Sequence, residues 1–96
     1  MFAANDEPAL GVLSELGRSG WEVPKDIAVC GFGDIPLAQI IMPSLTTVHI
    51  GLHDLGHAGA RKVVAILHHD DVTFLEVQPT LIIERGTSAQ IADQSA

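Results

Sequence analysis

The chain has 96 residues, 47% hydrophobic and 18% charged, with a mean hydropathy of +0.31. That is a globular composition, which excludes a disordered polypeptide and leaves room for one small domain. Five Lys and Arg stand against 12 Asp and Glu, a formal net charge of −7, so neither nucleic acid nor an anionic membrane surface meets a basic patch.

Other exclusions follow from the residues. A single cysteine, Cys30, rules out an internal disulfide. The N-terminal stretch is acidic and lacks the apolar core of a signal peptide. No apolar run approaches the ~20 residues of a membrane span. The expected location is a reducing cytoplasm, away from membranes. A chain this short buries a modest fraction of its surface. Its apolar excess therefore points to cover supplied by another chain or another part of the protein.

In chain order, the first element is a helix. Asn5 or Asp6 can cap it, Asp6 and Glu7 suit its positive end, and Pro8 is tolerated in the first turn. Leu10, Leu13 and Leu16 form one stripe, and Gly20 terminates it. Residues 21–26 read as a loop. Residues 27–32 form a short apolar run ending in glycine, the pattern of a buried parallel strand. Gly31, Gly33 and Asp34 then make a tight turn.

Pro36 opens a short helix that Pro43 limits. Residues 45–50 are rich in β-branched side chains and read as an extended crossing segment. A second long helix is expected over residues 52–69, with Leu55, Gly59, Val63, Ile66 and Leu67 on one face. A final strand covers residues 80–84, and from Arg85 onward the chain reads as polar. Helix and strand alternate, which indicates an α/β fold with parallel strands. About three strands are visible, fewer than a usual sheet, so the pattern predicts part of a larger fold.

Candidate chemistry is sparse. Gly31-Phe32-Gly33-Asp34 resembles the start of a dinucleotide fingerprint, but Pro36 replaces the third glycine and no Walker lysine follows. A turn at the carboxyl edge of a sheet is the better reading, and α/β folds bind ligands there. His53 and His57 stand four apart on one helix, yet no third metal ligand accompanies them. Solvated helix histidines are commoner. Cys30 sits in an apolar run with no activating base. Ser44, Thr46 and Thr47 lack a partner for a triad. The expectation is no catalytic residue, no metal and no cofactor. Asn5 differs, because its amide both donates to and accepts from a sugar hydroxyl. Its plain alternative is a helix cap.

Taken together, several stretches resemble the lactose-repressor/galactose-repressor (LacI/GalR) family of transcriptional regulators. They are Ala3-Ala4-Asn5-Asp6, Ala9-Leu10-Gly11, Val23-Pro24-Lys25-Asp26-Ile27-Ala28-Val29, Gly31-Phe32-Gly33-Asp34, Pro43-Ser44-Leu45-Thr46-Thr47-Val48, Leu55-Gly56 with Ala58, and Leu81-Ile82-Ile83-Glu84-Arg85-Gly86-Thr87-Ser88. They occur in family order and cover the chain up to Ser88. The implied fold is α/β: a fragment of a periplasmic-binding-protein-like two-lobed fold with parallel sheets. Residues 1–88 would be a partial sensor domain for effector binding and dimerisation, and 89–96 a polar C-terminal tail. The helix-turn-helix DNA-binding domain and most of the first lobe would lie outside this chain. Residues 45–48 would be one crossing, the helix from Leu52 would belong to the other lobe, and the strand at Leu81 would return.

The resemblance implies ligand contacts at Asn5, Gly33, Asp34 and Leu52. Gly33 replaces an aspartate usual in the family. The exchange removes a negative charge and makes room, which favours an acidic sugar such as a gluconate over a neutral hexose. Leu52 stands where an aromatic often lines the cleft, which weakens sugar stacking. The implied homodimer contact comprises Leu10, Leu13, Ser14, Leu37, Ile40, Ile41 and Met42. DNA would be reached only through the absent domain.

The favoured reading is the effector-sensing and dimerising C-terminal part of a sugar- or sugar-acid-responsive regulator. The alternative is part of a periplasmic sugar-binding transport protein of the same fold. A small α/β enzyme is the third, and it lacks a coherent nucleophile, base or metal set.

Overall fold

In a computed structural model, the described residues are 1–73 and 75–88. Helix α1 spans Asp6–Arg18 and starts at Asn5, whose backbone is extended and whose side chain makes no capping hydrogen bond. Asp6 and Glu7 occupy its first turn and Arg18 its last, each on the favourable end of the helix dipole. The short helix α2 covers Leu37–Ile40, directly after Pro36. Strand β1 is Thr47–His49, helix α3 Leu52–Leu67 and strand β2 Leu81–Ile83, with a single 3₁₀ turn at Gly86–Ser88.

Residues 28–33 form the centre of a parallel ladder, as the apolar run 27–32 predicts. On one edge, Cys30 N donates to Met1 O at 2.9 Å and Ala3 N to Cys30 O at 2.8 Å. On the other edge, Gly31 N donates to Thr46 O at 2.8 Å and Gly33 N to Val48 O at 2.9 Å. Regular pairing is confined to the bridges Phe2–Cys30 and Cys30–Thr46. The core lies against this ladder: Ala3, Ala9, Val29, Ala38 and Leu45 are buried, with Val12, Leu13, Leu16 and Ile35 packed beside them. Three of the five buried side chains are alanines, which lets both helices approach the ladder closely.

Three expectations need correction. The all-parallel sheet is interrupted, because β1 and β2 pair antiparallel, Thr47 with Ile83, Val48 with Ile82 and His49 with Leu81. The chain leaves along β1 and comes back along β2, so the two segments must run oppositely. Helix α3 stops at Leu67, two residues early, because His69 adopts a left-handed φ of 62° and turns the chain out. Finally, Arg85 to Ser88 is no loose tail. Thr87 is fully buried, its N–H donates to Ser44 O at 3.0 Å, and Val29 N donates to Thr87 O at 3.0 Å. The proposed tail, 89–96, lies outside the described residues.

The predicted stripe of α3 is present, but Leu55, Val63, Ile66 and Leu67 are exposed, as are Leu81 and Ile82 of β2. Ala58 is the buried residue of this helix. The Lys62 ammonium donates to Thr73 O and ties the helix to the segment after it.

Glycines separate crowded from open positions. A Cβ at Gly31 would run into the Asp6 carboxylate and stand 3.0 Å from Leu45 Cδ2, whereas nothing lies within 4 Å of one at Gly11. Gly31→Ala should therefore destabilise the chain by about 1–3 kcal/mol through overpacking. Gly11→Ala, inside α1, should stabilise it by roughly 0.5–1 kcal/mol through helix propensity. Urea unfolding of the two variants, which should move in opposite directions, checks the packing.

Candidate functional site

The carboxyl ends of the ladder segments meet where Asn5, Gly33 and Leu52 lie. The turn from segment 1–3 into α1 delivers Asn5, segment 28–33 ends at Gly33, and β1 runs on into α3 at Leu52. A Cβ on Gly33 would sit 3.7 Å from Asn5 Oδ1 and 4.0 Å from Leu52 Cδ1. Three of the four predicted contact residues thus face one small space. Gly33 has a φ of 122°, a conformation L side chains rarely adopt. Its missing side chain leaves that space open.

Asp34, the fourth, follows with φ 56°. Its carboxylate is only 9% exposed and lies between two bases. Oδ2 lies 2.9 Å from His49 Nδ1, and Oδ1 lies 2.9 Å from Arg85 Nη1. The second contact is an ion pair off the hydrogen-bond axis: Nη1 instead donates to Leu45 O at 3.0 Å, and Oδ1 has no hydrogen-bond donor. Burial pushes the Asp34 carboxyl up. The contacts and charges of Arg85 and His49 together outweigh burial and hold it below the usual carboxylate range.

Behind this pair runs a second carboxylate. Asp6 is fully buried; its Oδ2 accepts from Ile35 N at 2.8 Å and its Oδ1 from Thr47 Oγ1 at 2.7 Å. Thr47 Oγ1 in turn accepts from Asp34 N at 3.2 Å. Helix α1, the turn after Gly33 and β1 are therefore locked by one network. Sequence reasoning missed Asp6, Thr47, His49 and Arg85. Two signals were available: Thr47 and His49 are two apart on a strand and so share a face, and Arg85 is one of only five cationic residues.

The predicted contact for a second copy also converges. Leu10, Leu13, Ser14, Ile41 and Met42 line an apolar groove of about 420 Å³ together with Gly17, Trp21, Val23 and Pro43. Leu37 and Ile40 lie outside that lining and are exposed, Ile40 at 74%. This groove is thus not at the Asn5–Gly33–Leu52 corner.

Elsewhere, burial, followed by the Asp6 charge, pushes the Cys30 thiol up, with the N-terminal ammonium opposing. That environment disfavours the thiolate. His53 and His57 stack with ring centroids 6.4 Å apart. Among the described residues no group of three His, Cys, Asp or Glu is placed to hold a metal ion, and no helix is long and apolar enough to cross a membrane.

A family model described as periplasmic binding protein-like domain matches residues 1–88. The chain belongs to that family. Its relatives within the family are LacI-type regulators. The chain is 38% identical over 88 residues to the HTH-type transcriptional regulator RegA of Clostridium acetobutylicum, covering 91% of this chain and 26% of that protein. It is 34% identical over 89 residues to the ribose operon repressor of Escherichia coli, covering 92% and 27%. Among solved structures it superposes on the lac repressor dimer bound to operator and an anti-inducer, with a TM-score of 0.83, 28% identity, and 92% of this chain matched to 27% of that one. The chain spans about a quarter of the length of the curated relatives it matches. The periplasmic-binding-protein type of fold expected from the sequence is thus established.

Within this family member, the Asp34 pair makes a pH-dependent contribution. A folded-state pKa below the unfolded value of about 3.9 stabilises the fold above that value. The contribution is lost as the pH falls through the folded value. Asp34→Asn should lower stability near neutral pH by about 1.5–3 kcal/mol, the usual worth of a charged hydrogen bond. It should also flatten the decline of stability below pH ~4. Denaturant midpoints at neutral and acid pH measure both effects.

Proposed function

We infer that the chain is the effector-sensing and dimerising part of a LacI-type transcriptional regulator that responds to a small sugar or sugar acid. The observation that carries this reading is the convergence of Asn5, Gly33 and Leu52 at the carboxyl edge of a parallel ladder, where α/β folds bind their ligands. Family membership supports it, and one relative is named for a ribose operon. The Asn5 amide offers both a donor and an acceptor to ligand hydroxyls. At Gly33 no carboxylate opposes an anionic ligand, so a gluconate-like acid is the favoured effector. The other wall of the cleft would come from the lobe that covers the exposed apolar face of α3 and β2. DNA would be contacted by a separate part of the same cytoplasmic protein, since this acidic chain offers no basic surface. The role is binding, not catalysis.

The groove between α1 and the segment after α2 supports a dimer. Burying one large apolar side chain contributes about 1.5–3 kcal/mol, while association costs at least ~4 kcal/mol. Several residues must be buried together, and Leu10, Leu13, Ile41 and Met42 are placed to do so. The occupant is a second copy of this chain; the lac repressor on which it superposes is itself a dimer.

Two measurements test the reading. In the full-length protein, Asn5→Ala should shift the inducer dose-response about tenfold, the loss of one good hydrogen bond, with an unchanged melting temperature. An unaltered response would remove Asn5 from the site. Met42 is 95% exposed and lines the groove, so Met42→Asp leaves the core untouched. It should move the sedimenting species from dimer toward monomer at micromolar concentration. A dimer that survives the substitution would place the interface elsewhere.

A further inference from the structure

His49 stands one residue beyond the last ladder bond, from Gly33 N to Val48 O. It shares a strand face with Thr47: the Thr47 hydroxyl holds the Asp34 N–H, and the His49 ring holds the Asp34 carboxylate. An ionised carboxylate can only accept a hydrogen bond. The 2.9 Å contact therefore makes Nδ1 the donor. In the neutral ring this fixes the tautomer and leaves Nε2 as a bare acceptor. Nε2 has no hydrogen-bond partner among the described residues, and the side chain is 51% exposed. Nothing in the packing of the fold requires that free nitrogen.

We propose that His49 is a ligand-contacting residue of the cleft, its Nε2 accepting a hydrogen bond from a hydroxyl of a polyol ligand, with Asp34 and Arg85 as positioning residues behind it. The inference rests on the effector reading above and names a contact that reading does not contain. The ring is hydrogen-bonded to Asp34, the residue that follows Gly33, and the open face of Gly33 meets Asn5 and Leu52. Asp34 is itself braced by Arg85, which Leu45 O also holds. The imidazole is thus oriented before ligand arrives and gives up little freedom on binding. Sugars and sugar acids share the required hydroxyl, and the experiment separates them by using D-ribose and D-gluconate as probes.

The test uses the full-length protein and calorimetry with each probe. His49→Asn keeps an amide donor near the place of Nδ1 and lacks Nε2. It should weaken binding of whichever probe binds by at least about tenfold without shifting the thermal midpoint. In the unmutated protein, two-bond proton–nitrogen spectra of the histidines should show His49 as the Nδ1–H tautomer. Its Nε2 resonance should then move at saturation with the probe. That measurement decides the matter if the variant proves unstable. An unaltered affinity in His49→Asn, or an Nε2 resonance that stays in place at saturation, overturns the His49 contact and leaves the effector reading standing. Failure of the unmutated protein to bind either probe overturns both.

Discussion

Thr87 is fully buried, and its hydroxyl donates to Val29 O at 2.6 Å while accepting from Thr46 N at 2.9 Å. Its backbone is held as well, from Ser44 O on one side and by Val29 N on the other. One residue thereby fills the gap between the central ladder segment and its neighbour. The rest of the site depends on that closure, because it fixes the return path of the chain. Two residues before Thr87 comes Arg85, whose N–H donates to the Thr46 hydroxyl at 2.8 Å. From that anchored backbone the guanidinium reaches Leu45 O and Asp34.

Asp34 then serves as a junction for three segments that are distant in sequence. It belongs to the turn after Gly33, His49 to β1, and Arg85 to the return after β2. A buried ion pair contributes little net stability, since desolvation offsets much of the attraction. Its value lies in geometry. Three segments joined at one carboxylate cannot shift independently, and the corner lined by Asn5, Gly33 and Leu52 inherits that order. The apolar groove is lined by Leu10, Leu13, Ser14 and Gly17 of α1, residues other than those at the Asn5–Gly33–Leu52 corner, so groove and corner are separate surfaces.

Much of the architecture was legible in the residues. The Leu10–Leu13–Leu16 stripe appears as helix α1 and the β-branched segment 45–50 contains β1, whereas the apolar run 27–32 pairs through parallel bridges at Cys30 and not as a regular strand. Asn5, Gly33 and Leu52, far apart in sequence, are brought to one corner. The antiparallel β1–β2 pairing was not legible, because strand direction depends on where the chain goes between residues 50 and 80. The polar contacts were hidden for a related reason. Asp6 looks like a helix-start residue and Arg85 like the beginning of a polar tail. Only the tertiary fold shows that one is fully buried against Thr47 and the other is clamped on Asp34. Short-range patterns report which face of an element is apolar, whereas hydrogen-bond partners some 30 to 40 positions away leave no local trace.

The Thr87–Val29 contact joins residues 58 positions apart. During synthesis at about 5–20 residues per second, Val29 waits roughly 3–12 s for its partner. Throughout that interval the Val29 N–H on one edge of the central segment has no acceptor, and an unpaired strand edge invites the wrong neighbour. Segment 1–3, helix α1 and the opposite edge can assemble first, since their contacts lie within the earliest third of the chain. The nascent chain is thus most vulnerable to mispairing in the window between the emergence of β1 and the arrival of Thr87, and a chaperone or a bound second copy would be of most use then.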